Sequence, residues 1–178
     1  MTDRLCFTGN DEADMLLVQD AFALLVGFAL DQQVQVQKAF MGPYVLRERL
    51  GTLDPAGVAA ADLDPIFRER PAIHRFPGAM AARVHELAVH VLEHYDGHAA
   101  RVWTDATTTE ELRANLEALP GFGTMKVKAL GSVLAKRFGV TIAEPLVPWH
   151  PTLGDVDSAA ALADYQASKK LNKEAWLA

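Results

Sequence analysis

The segment Leu119–Lys126, with the sequence LPGFGTMK, constrains the fold more than any other part of the chain. Before it, Thr108 and Glu111 have the spacing of a capping box, which predicts a short helix that ends where Pro120 removes the next backbone donor. After it, apolar residues recur at helical spacing as far as Gly139, which predicts a second helix. A stretch this short and this rich in glycine and proline predicts a tight hairpin between the two helices.

The composition of the hairpin predicts an anion site. Gly121 and Gly123 let backbone amides come close to an outside ligand, and the start of the second helix adds a partial positive charge. Residues 119–138 carry four cations and no acid, whereas the whole chain has a net charge of −6, which leaves −10 for the remainder. A local basic patch on an acidic protein favours a defined phosphate site over loose coating of nucleic acid. The alternative is a plain corner between two helices.

Length and composition limit the class of protein. With 178 residues, the chain suits one domain over 1–178, or two small lobes that share an interface. Half of the residues are apolar and β-branched runs are few, so we expect an all-α fold. Cys6 is the single cysteine, which excludes a disulfide framework and a four-cysteine iron–sulfur cluster. Because the longest apolar run, 21–30, is too short to cross a bilayer and no signal-peptide pattern occurs, we expect a cytoplasmic protein without membrane contact.

A second feature is the apolar segment 20–30 and the glutamines that follow it. The segment is apolar nearly all round, which predicts a helix in the middle of the core. Gln32, Gln33 and Gln35 then interrupt the pattern before another helix that starts near Val36. Amide side chains are costly to bury, so we expect these glutamines to face a cleft. An ordinary solvated helix end is the alternative.

Turn and breaker residues divide the next part of the chain. Pro43 lies inside the helix that follows the glutamines and predicts a kink or a split. Asp-Pro pairs at 54–55 and 64–65 predict two short helices, and a long helix is expected from about Ala79 to Tyr95. A small basic cluster, which we interpret as solvated, lies between them: Arg68, Arg70, His74 and Arg75.

The pattern L-P-G-x-G at 119–123 resembles the helix-hairpin-helix element of the HhH-GPD superfamily of DNA glycosylases, which includes endonuclease III and the alkyladenine and adenine-mismatch glycosylases. An apolar helix that ends in L-x-x-Q, at 30–33, is similar to the second landmark of that superfamily. The resemblance covers roughly residues 18–165. It implies an all-α, two-lobed fold with the DNA cleft between Gln33 and the hairpin.

By this resemblance, the partner is double-stranded DNA with a damaged or mismatched base. Gln33 would fill the gap left by an extruded nucleotide, and the hairpin would bind a phosphate. The implied DNA-binding residues around the hairpin are Gly121, Phe122, Gly123, Lys126 and Lys128. The backbone carbonyls of Glu117, Leu119 and Phe122 would hold a monovalent cation, Na⁺ or K⁺, and no other cofactor is expected.

The chemistry of such an enzyme needs a carboxylate. The bond between base and sugar breaks through a transition state with oxocarbenium character, whose positive charge a carboxylate offsets while it orients or activates water. Superfamily members with an added lyase step also use a lysine amine, two residues after the second glycine of the hairpin. This chain has Met125 there, and Lys126 points about 100° away around the helix. We therefore expect a monofunctional glycosylase without strand cleavage.

The catalytic carboxylate departs from the resembled pattern. A Val-Asp pair is expected soon after the second helix, but the chain has Ala-Glu-Pro there, followed by a Pro-rich insertion. Val156-Asp157, just before a predicted helix from Ala159, has the expected local chemistry. Asp157 is therefore the candidate catalytic residue, with Asp155 second and Glu144 third. The two aspartates could instead only cap the helix, as aspartate commonly does.

Further features leave alternatives open. Trp149 and His150 on the insertion could stack on an extruded base or fix the loop to the core. The basic segment 169–173 could reach DNA or be solvated. The function is either a base-excision glycosylase associated with the nucleoid or a catalytically inactive module that binds damaged DNA. A protein-interaction domain that does not bind DNA is a third possibility.

Overall fold

The structure, a computed structural model, describes residues 2–177. It is all-helical, which confirms the predicted all-α class, and no strand occurs in the described part of the chain. The α-helices, numbered α1 to α10 in chain order, are Asp11–Gln19, Ala21–Leu30, Val36–Leu50, Pro55–Ala60, Leu63–Arg68, Pro77–Tyr95, Arg101–Thr104, Thr109–Glu117, Thr124–Arg137 and Ala159–Leu177. Two 3-10 helices, Thr141–Leu146 and Leu153–Asp155, lie between α9 and α10.

Helix α2 forms the centre of the core. Every residue from Phe22 to Leu30 is buried, as the all-round apolar pattern predicted. The Asp20 carboxylate begins the helix by accepting hydrogen bonds from the amides of Phe22 and Ala23, at 2.9 and 3.2 Å. Helices α1, α3 and α6 pack around α2, and α4 and α5 pack on α6. The carboxyl end of α2 is thereby held in a fixed position.

Helix α3 approaches α2 closely because each contributes a glycine. A Cβ atom at Gly27 would lie 2.4 Å from the Phe40 ring, and one at Gly42 would lie 2.3 Å from Leu30. Pro43, which the sequence predicted to kink or split this helix, lies inside a continuous α3. The predicted split does not occur, because the tight packing on α2 holds both halves of the helix while proline removes only one backbone hydrogen bond.

A second group of elements is built on α9. Helix α8 and both 3-10 helices pack against it, so the inserted segment 141–155 lies along α9. The guanidinium of Arg137 fixes this segment by donating to the Gly154 carbonyl at 2.9 Å. At the other end of the chain, the Thr2 amide donates to the Arg137 carbonyl at 3.2 Å. Helix α10 begins at Ala159, where a helix was predicted, and continues to Leu177, because its second half contains neither glycine nor proline.

Within residues 2–177, no single helix has the length and hydropathy needed to cross a bilayer. Helices α1 and α2 taken together meet that criterion by length and composition only, and they join at a bend of 114°. The apolar member of this pair, α2, is buried in the protein core.

Candidate nucleic-acid interface and its pocket

The hairpin between α8 and α9 is a tight turn on the surface. The Phe122 amide donates to the Leu119 carbonyl at 3.1 Å, and Gly121 has φ of 78°. With Pro120 before that glycine, the turn has the residues and the φ of a type II turn. The side chains of Leu119 and Phe122 are buried, whereas Gly121 and Gly123 are exposed. Two apolar anchors thus present the glycine backbone to solvent.

The start of α9 leaves backbone donors available. Gly123 is the N-cap of this helix, and no side chain in the described part of the chain caps it. The N–H groups of its first turn can therefore bind an external acceptor. Helix α8 differs, because the Thr108 hydroxyl accepts from the Glu111 amide at 3.1 Å. The Glu111 carboxylate accepts from the Thr107 amide at 2.7 Å, so the second half of the predicted capping box is displaced by one residue.

An arginine that the sequence analysis did not identify lies against the hairpin. Arg83 projects from α6, and a Cβ atom at Gly121 would lie 1.6 Å from its guanidinium. The missing side chain of glycine therefore lets this cation sit directly on the hairpin backbone. Arg83 and the hairpin are far apart in sequence, so no local pattern indicates the contact.

Lys126, predicted to contact phosphate, turns its ammonium group toward α2. Its Nζ donates to the Ala29 carbonyl at 3.1 Å, a favourable position for a cation at the carboxyl end of a helix. It also lies 5.8 Å from the centre of the Phe122 ring. Burial lowers the pKa of Lys126, Asp31 acts in the opposite direction, and Arg83 adds to the lowering. Lys126 is thus partly exposed on α9, while its ammonium group contacts the end of the core helix α2.

A pocket of about 90 Å³ opens beside the first turn of α9. Its walls come from α2, α9, α10 and the insertion, and they include Asp31, Met125, Lys126, Lys128, His150, Tyr165, Lys169 and Trp176. Met125 occupies the position of the lyase lysine in the resembled pattern. Met125 and Lys126 thus connect the hairpin to this pocket.

Aromatic rings from the insertion and α10 form one wall of the pocket. The His150 ring stacks on Trp176 with centroids 5.0 Å apart and planes 5° apart, and Tyr165 lies 6.1 Å from Trp176. His150 is buried, which fits the loop-fixing alternative for this residue, whereas Trp149 is 76% exposed. The Nε2 atom of His150 is buried without a hydrogen-bond partner within residues 2–177.

Asp31 supplies the carboxylate among the residues that line this pocket. It directly follows α2 and is partly buried. Burial raises the pKa of Asp31, while the ammonium groups of Lys169 and Lys126 act to lower it. Burial also raises the pKa of Tyr165, and the negative charge of Asp31 adds to that effect. In the sequence, Asp31 stands beside the glutamines at the end of a fully apolar helix. That position is the sequence feature that could have identified it as a site residue.

Asp157, the first candidate for the catalytic carboxylate, is exposed just before α10. Its backbone carbonyl accepts a hydrogen bond from the Cys6 thiol at 3.3 Å. Glu144, the third candidate, is exposed on the first 3-10 helix. Neither residue lines the pocket beside α9 or the grooves next to Gln33.

Asp155, the second candidate, caps the second 3-10 helix and forms an ion pair. Its carboxylate accepts from the Thr152 amide at 2.9 Å and forms an ion pair with Lys136. Burial alone would raise the pKa of Asp155, but the bonds to Lys136 and Thr152 lower it overall. Like Asp157, Asp155 does not line the pocket. The structure therefore brings none of the three predicted carboxylates to the hairpin pocket.

Gln33 lies at the exposed tip of the loop between α2 and α3. Its φ of 57° is uncommon for a residue with a side chain. Two open grooves meet there, lined respectively by Lys169, Lys170 and Lys173, and by Lys38, His74 and Arg75. Asp31 and Lys169 line both the first groove and the pocket. The hairpin, the pocket and Gln33 thus belong to one continuous surface rich in cations.

His74 is buried, so the prediction that it belongs to a solvated cluster was wrong. Its Nδ1 accepts from the Phe76 amide at 3.0 Å, which places the ring proton on Nε2. Nε2 lies 3.0 Å from the Leu30 carbonyl and 3.1 Å from the Gln32 carbonyl. Burial lowers the pKa of His74, although the two carbonyls act to raise it. This neutral histidine fixes the junction that carries Gln33, through contacts that are distant in sequence.

The carbonyls proposed for a monovalent cation belong to the hairpin itself. The Leu119 carbonyl already accepts from the Phe122 amide and keeps a second lone pair for a ligand. Backbone carbonyl oxygens suit Na⁺ or K⁺. No three His, Cys, Asp or Glu side chains within residues 2–177 are arranged to bind a metal ion.

Comparison with family models, with curated proteins and with solved structures finds no match to this chain. Its function is therefore inferred from the chemistry of the hairpin, the pocket and the grooves beside Gln33.

Proposed function

We propose that this protein is a DNA glycosylase of base-excision repair, which hydrolyses the N-glycosidic bond of a damaged or mismatched base extruded from duplex DNA. The observation that carries the proposal is the position of the exposed hairpin next to a pocket. Met125 and Lys126, in the first turn of α9, line that pocket. A nucleotide whose phosphate binds the amides of the hairpin would have its sugar and base beside the pocket.

The surface around the pocket has the charge that duplex DNA requires. Lys169, Lys170 and Lys173 line one groove beside Gln33, and Lys38 and Arg75 line the other. These cations, with Arg83 at the hairpin, lie on a chain with a net charge of −6. Such a concentration of positive charge favours a defined DNA path over unspecific binding. In this path Gln33 would enter the space left by the extruded nucleotide.

The proposed reaction is hydrolysis without strand cleavage. A thioether cannot form an imine, so Met125 cannot take the role of the lyase lysine. The two groups of helices, around α2 and around α9, would form the two lobes of an HhH-GPD-like domain. The carbonyls of Glu117, Leu119 and Phe122 would bind Na⁺ or K⁺ and brace the hairpin against the phosphate.

A second candidate is a catalytically inactive module that binds damaged DNA for a partner. One observation favours it: Asp157 is exposed beside Cys6 and Asp155 is paired with Lys136, so the predicted carboxylates do not line the pocket. The hairpin and the basic grooves would serve such a module equally well. The two candidates differ in whether a base is released.

The test is base release from duplex oligonucleotides that carry alkylated, deaminated, oxidised or mismatched bases. An enzyme is expected to release at least one such base and to leave an uncut abasic strand, whereas a module binds the duplexes without releasing any. Gly123→Glu places a negative charge on the exposed hairpin and is expected to abolish salt-sensitive binding. Ala56→Glu, on the exposed face of α4, is the matched control and should bind as the wild type does. Unchanged binding by Gly123→Glu would exclude DNA recognition by the hairpin.

A further inference from the structure

The pocket beside α9 contains a carboxylate that the sequence analysis did not assign to the chemistry. We propose that Asp31 is the catalytic carboxylate of this pocket and faces the sugar of the extruded nucleotide, in place of Asp157. The inference rests on the proposed glycosylase function and names the residue that would support it. Asp31 lines the pocket together with Met125 and Lys126, which connect it to the hairpin.

The fold holds Asp31 in a fixed position. It is the C-cap of α2, the helix whose residues from Phe22 to Leu30 are all buried. Its amide donates to the Phe28 carbonyl at 3.2 Å, and the Lys126 ammonium holds the neighbouring Ala29 carbonyl at 3.1 Å. A carboxylate placed by the most buried helix of the core is more precisely positioned than one on an exposed loop. Asp157, by contrast, is an exposed residue between a 3-10 helix and α10.

One polar atom of the pocket is buried without a partner within residues 2–177. The Asp31 carboxylate, which lines the same pocket, is only partly buried and can accept hydrogen bonds from a ligand. Nε2 of His150, a residue that is 5% exposed, has no partner although it is buried. Nδ1 of His150 donates to the Pro151 carbonyl at 3.0 Å, so in the neutral ring Nε2 is an acceptor. The pocket therefore combines an unpaired acceptor in its wall with a carboxylate that a ligand can reach.

A nucleotide with its attacking water fits these groups. The water can donate to the Asp31 carboxylate. The stacked rings of His150, Tyr165 and Trp176 provide the apolar wall that an extruded base requires. The pocket therefore offers an apolar wall for part of a base and an acceptor for a water molecule.

Charged and titratable side chains from α9, α10 and the insertion surround the Asp31 carboxylate. The charges of Lys126 on α9 and Lys169 on α10 act on it, and the other titratable groups that line the pocket are Lys128, His150 and Tyr165. Burial raises the pKa of Asp31, and the charges of Lys169 and Lys126 act to lower it. A partly desolvated carboxylate is a better general base than a solvated one.

The proposed step adds one water across the glycosidic bond. The bond between C1′ and the base nitrogen breaks, and its electron pair leaves with the base. The water oxygen bonds to C1′, and a water proton passes to the Asp31 carboxylate and then to solvent. The departing base takes a proton from solvent. The Asp31 carboxylate offsets the positive charge that develops on the sugar while the bond breaks.

The experiment compares Asp31→Asn with Asp164→Asn, which makes the same change at an exposed position on α10. With the duplex from which the wild type releases a base fastest, Asp31→Asn is expected to lower the single-turnover rate of base release by about 100-fold or more. Its affinity for that duplex should be equal or higher, because a negative charge near the phosphates is removed. Asp164→Asn should match the wild type in both the rate of base release and the affinity for the duplex.

Circular dichroism and thermal melting of each variant establish that it is folded. A third variant, Asp31→Glu, keeps the carboxylate and should recover part of the rate.

The outcomes separate this inference from the proposed function. Base release by folded Asp31→Asn at the wild-type rate would overturn the assignment of Asp31 and leave the glycosylase intact. The same follows if Asp157→Asn, rather than Asp31→Asn, abolishes release while DNA affinity is retained. A wild-type protein that binds the duplexes and releases no base would overturn both proposals and leave the binding module.

Discussion

Gln33 holds a backbone conformation that few side chains adopt, and it does so at the tip of the loop that joins α2 to α3. Its φ is 57°, and the side chain is exposed, so packing within the protein does not explain the choice of residue. The cations of both grooves lie beside it. The local strain is consistent with a residue kept for contact with a ligand.

Gln33→Gly separates the fold from the proposed contact. Glycine removes the steric cost of the left-handed backbone conformation, about 1 kcal/mol. It also increases the conformational entropy of the unfolded chain, which destabilises the fold by a similar amount, so stability should change little. Affinity for a duplex with an abasic-site analogue should fall, because the side chain proposed to enter the gap in the duplex is removed. Urea denaturation and fluorescence anisotropy measure the two quantities. Gln33→Val, a β-branched control, should lose about 1 kcal/mol of stability at this φ.

The stability of the Gln33 loop depends on His74 being neutral. The folded protein lowers the pKa of His74, so the unfolded chain binds the proton more readily. The contribution of His74 is therefore complete above about pH 6.5, the value in the unfolded chain, and is lost as the pH falls through the folded value. Denaturation curves on both sides of that pH should show a lower free energy of unfolding in acid. His74→Gln, which cannot titrate, should lose about 1–3 kcal/mol in alkaline solution and depend less on pH.

At the level of elements, the hairpin combines two glycines with different tasks. Gly121 needs its positive φ and lies against the Arg83 guanidinium, whereas a Cβ atom at Gly123 would meet nothing within 4 Å. The first glycine shapes the turn, and the second keeps the start of α9 open to solvent. Stability and ligand access are therefore controlled by neighbouring residues of one element.

Paired alanine substitutions distinguish these tasks. Gly121→Ala should cost about 1–3 kcal/mol, because it strains the turn and displaces Arg83. Gly123→Ala should leave the melting temperature unchanged but weaken duplex binding, because its methyl group stands between the amides and a phosphate. Equal DNA binding by Gly123→Ala and the wild type would contradict a phosphate site at the start of α9.

At the scale of the whole molecule, the surface beside Gln33 draws its cations from α3, α9, α10 and the segment before α6. The rest of the chain is acidic, with a net charge of −6 overall. Duplex binding should therefore involve a limited number of phosphates and depend on salt accordingly.

Removing one groove lysine tests this arrangement. Lys170→Ala should reduce the slope of log affinity against log salt by about 0.9, the value expected for one phosphate contact. Arg68→Ala removes a cation that is paired with Asp64 on α5, and it should leave the slope unchanged. Salt titrations of anisotropy with the same duplex give both slopes. A wild-type slope for Lys170→Ala would place the DNA away from this groove.

Local pattern was enough to predict the all-α class, the buried helix before Gln33 and the exposed hairpin around Gly121. Helical periodicity, caps and turn residues act over a few positions, so they can be recognised in one stretch of sequence. The continuity of α3 through Pro43 depended on its packing against α2. The length of α10 followed from the lack of a glycine or proline in its second half.

The pocket was decided by tertiary structure alone. Asp31, Lys126, His150 and Trp176 come from four separate parts of the chain, and only their packing brings a carboxylate, an amine and stacked rings together. Burial in this packing raises the pKa of Asp31, which no sequence pattern encodes. Patterns along the chain were sufficient to predict which helices form and where the backbone is open to a ligand, because those properties are local. Which acid faces that opening depended on long-range contacts, because charge and solvation are set by neighbours in space.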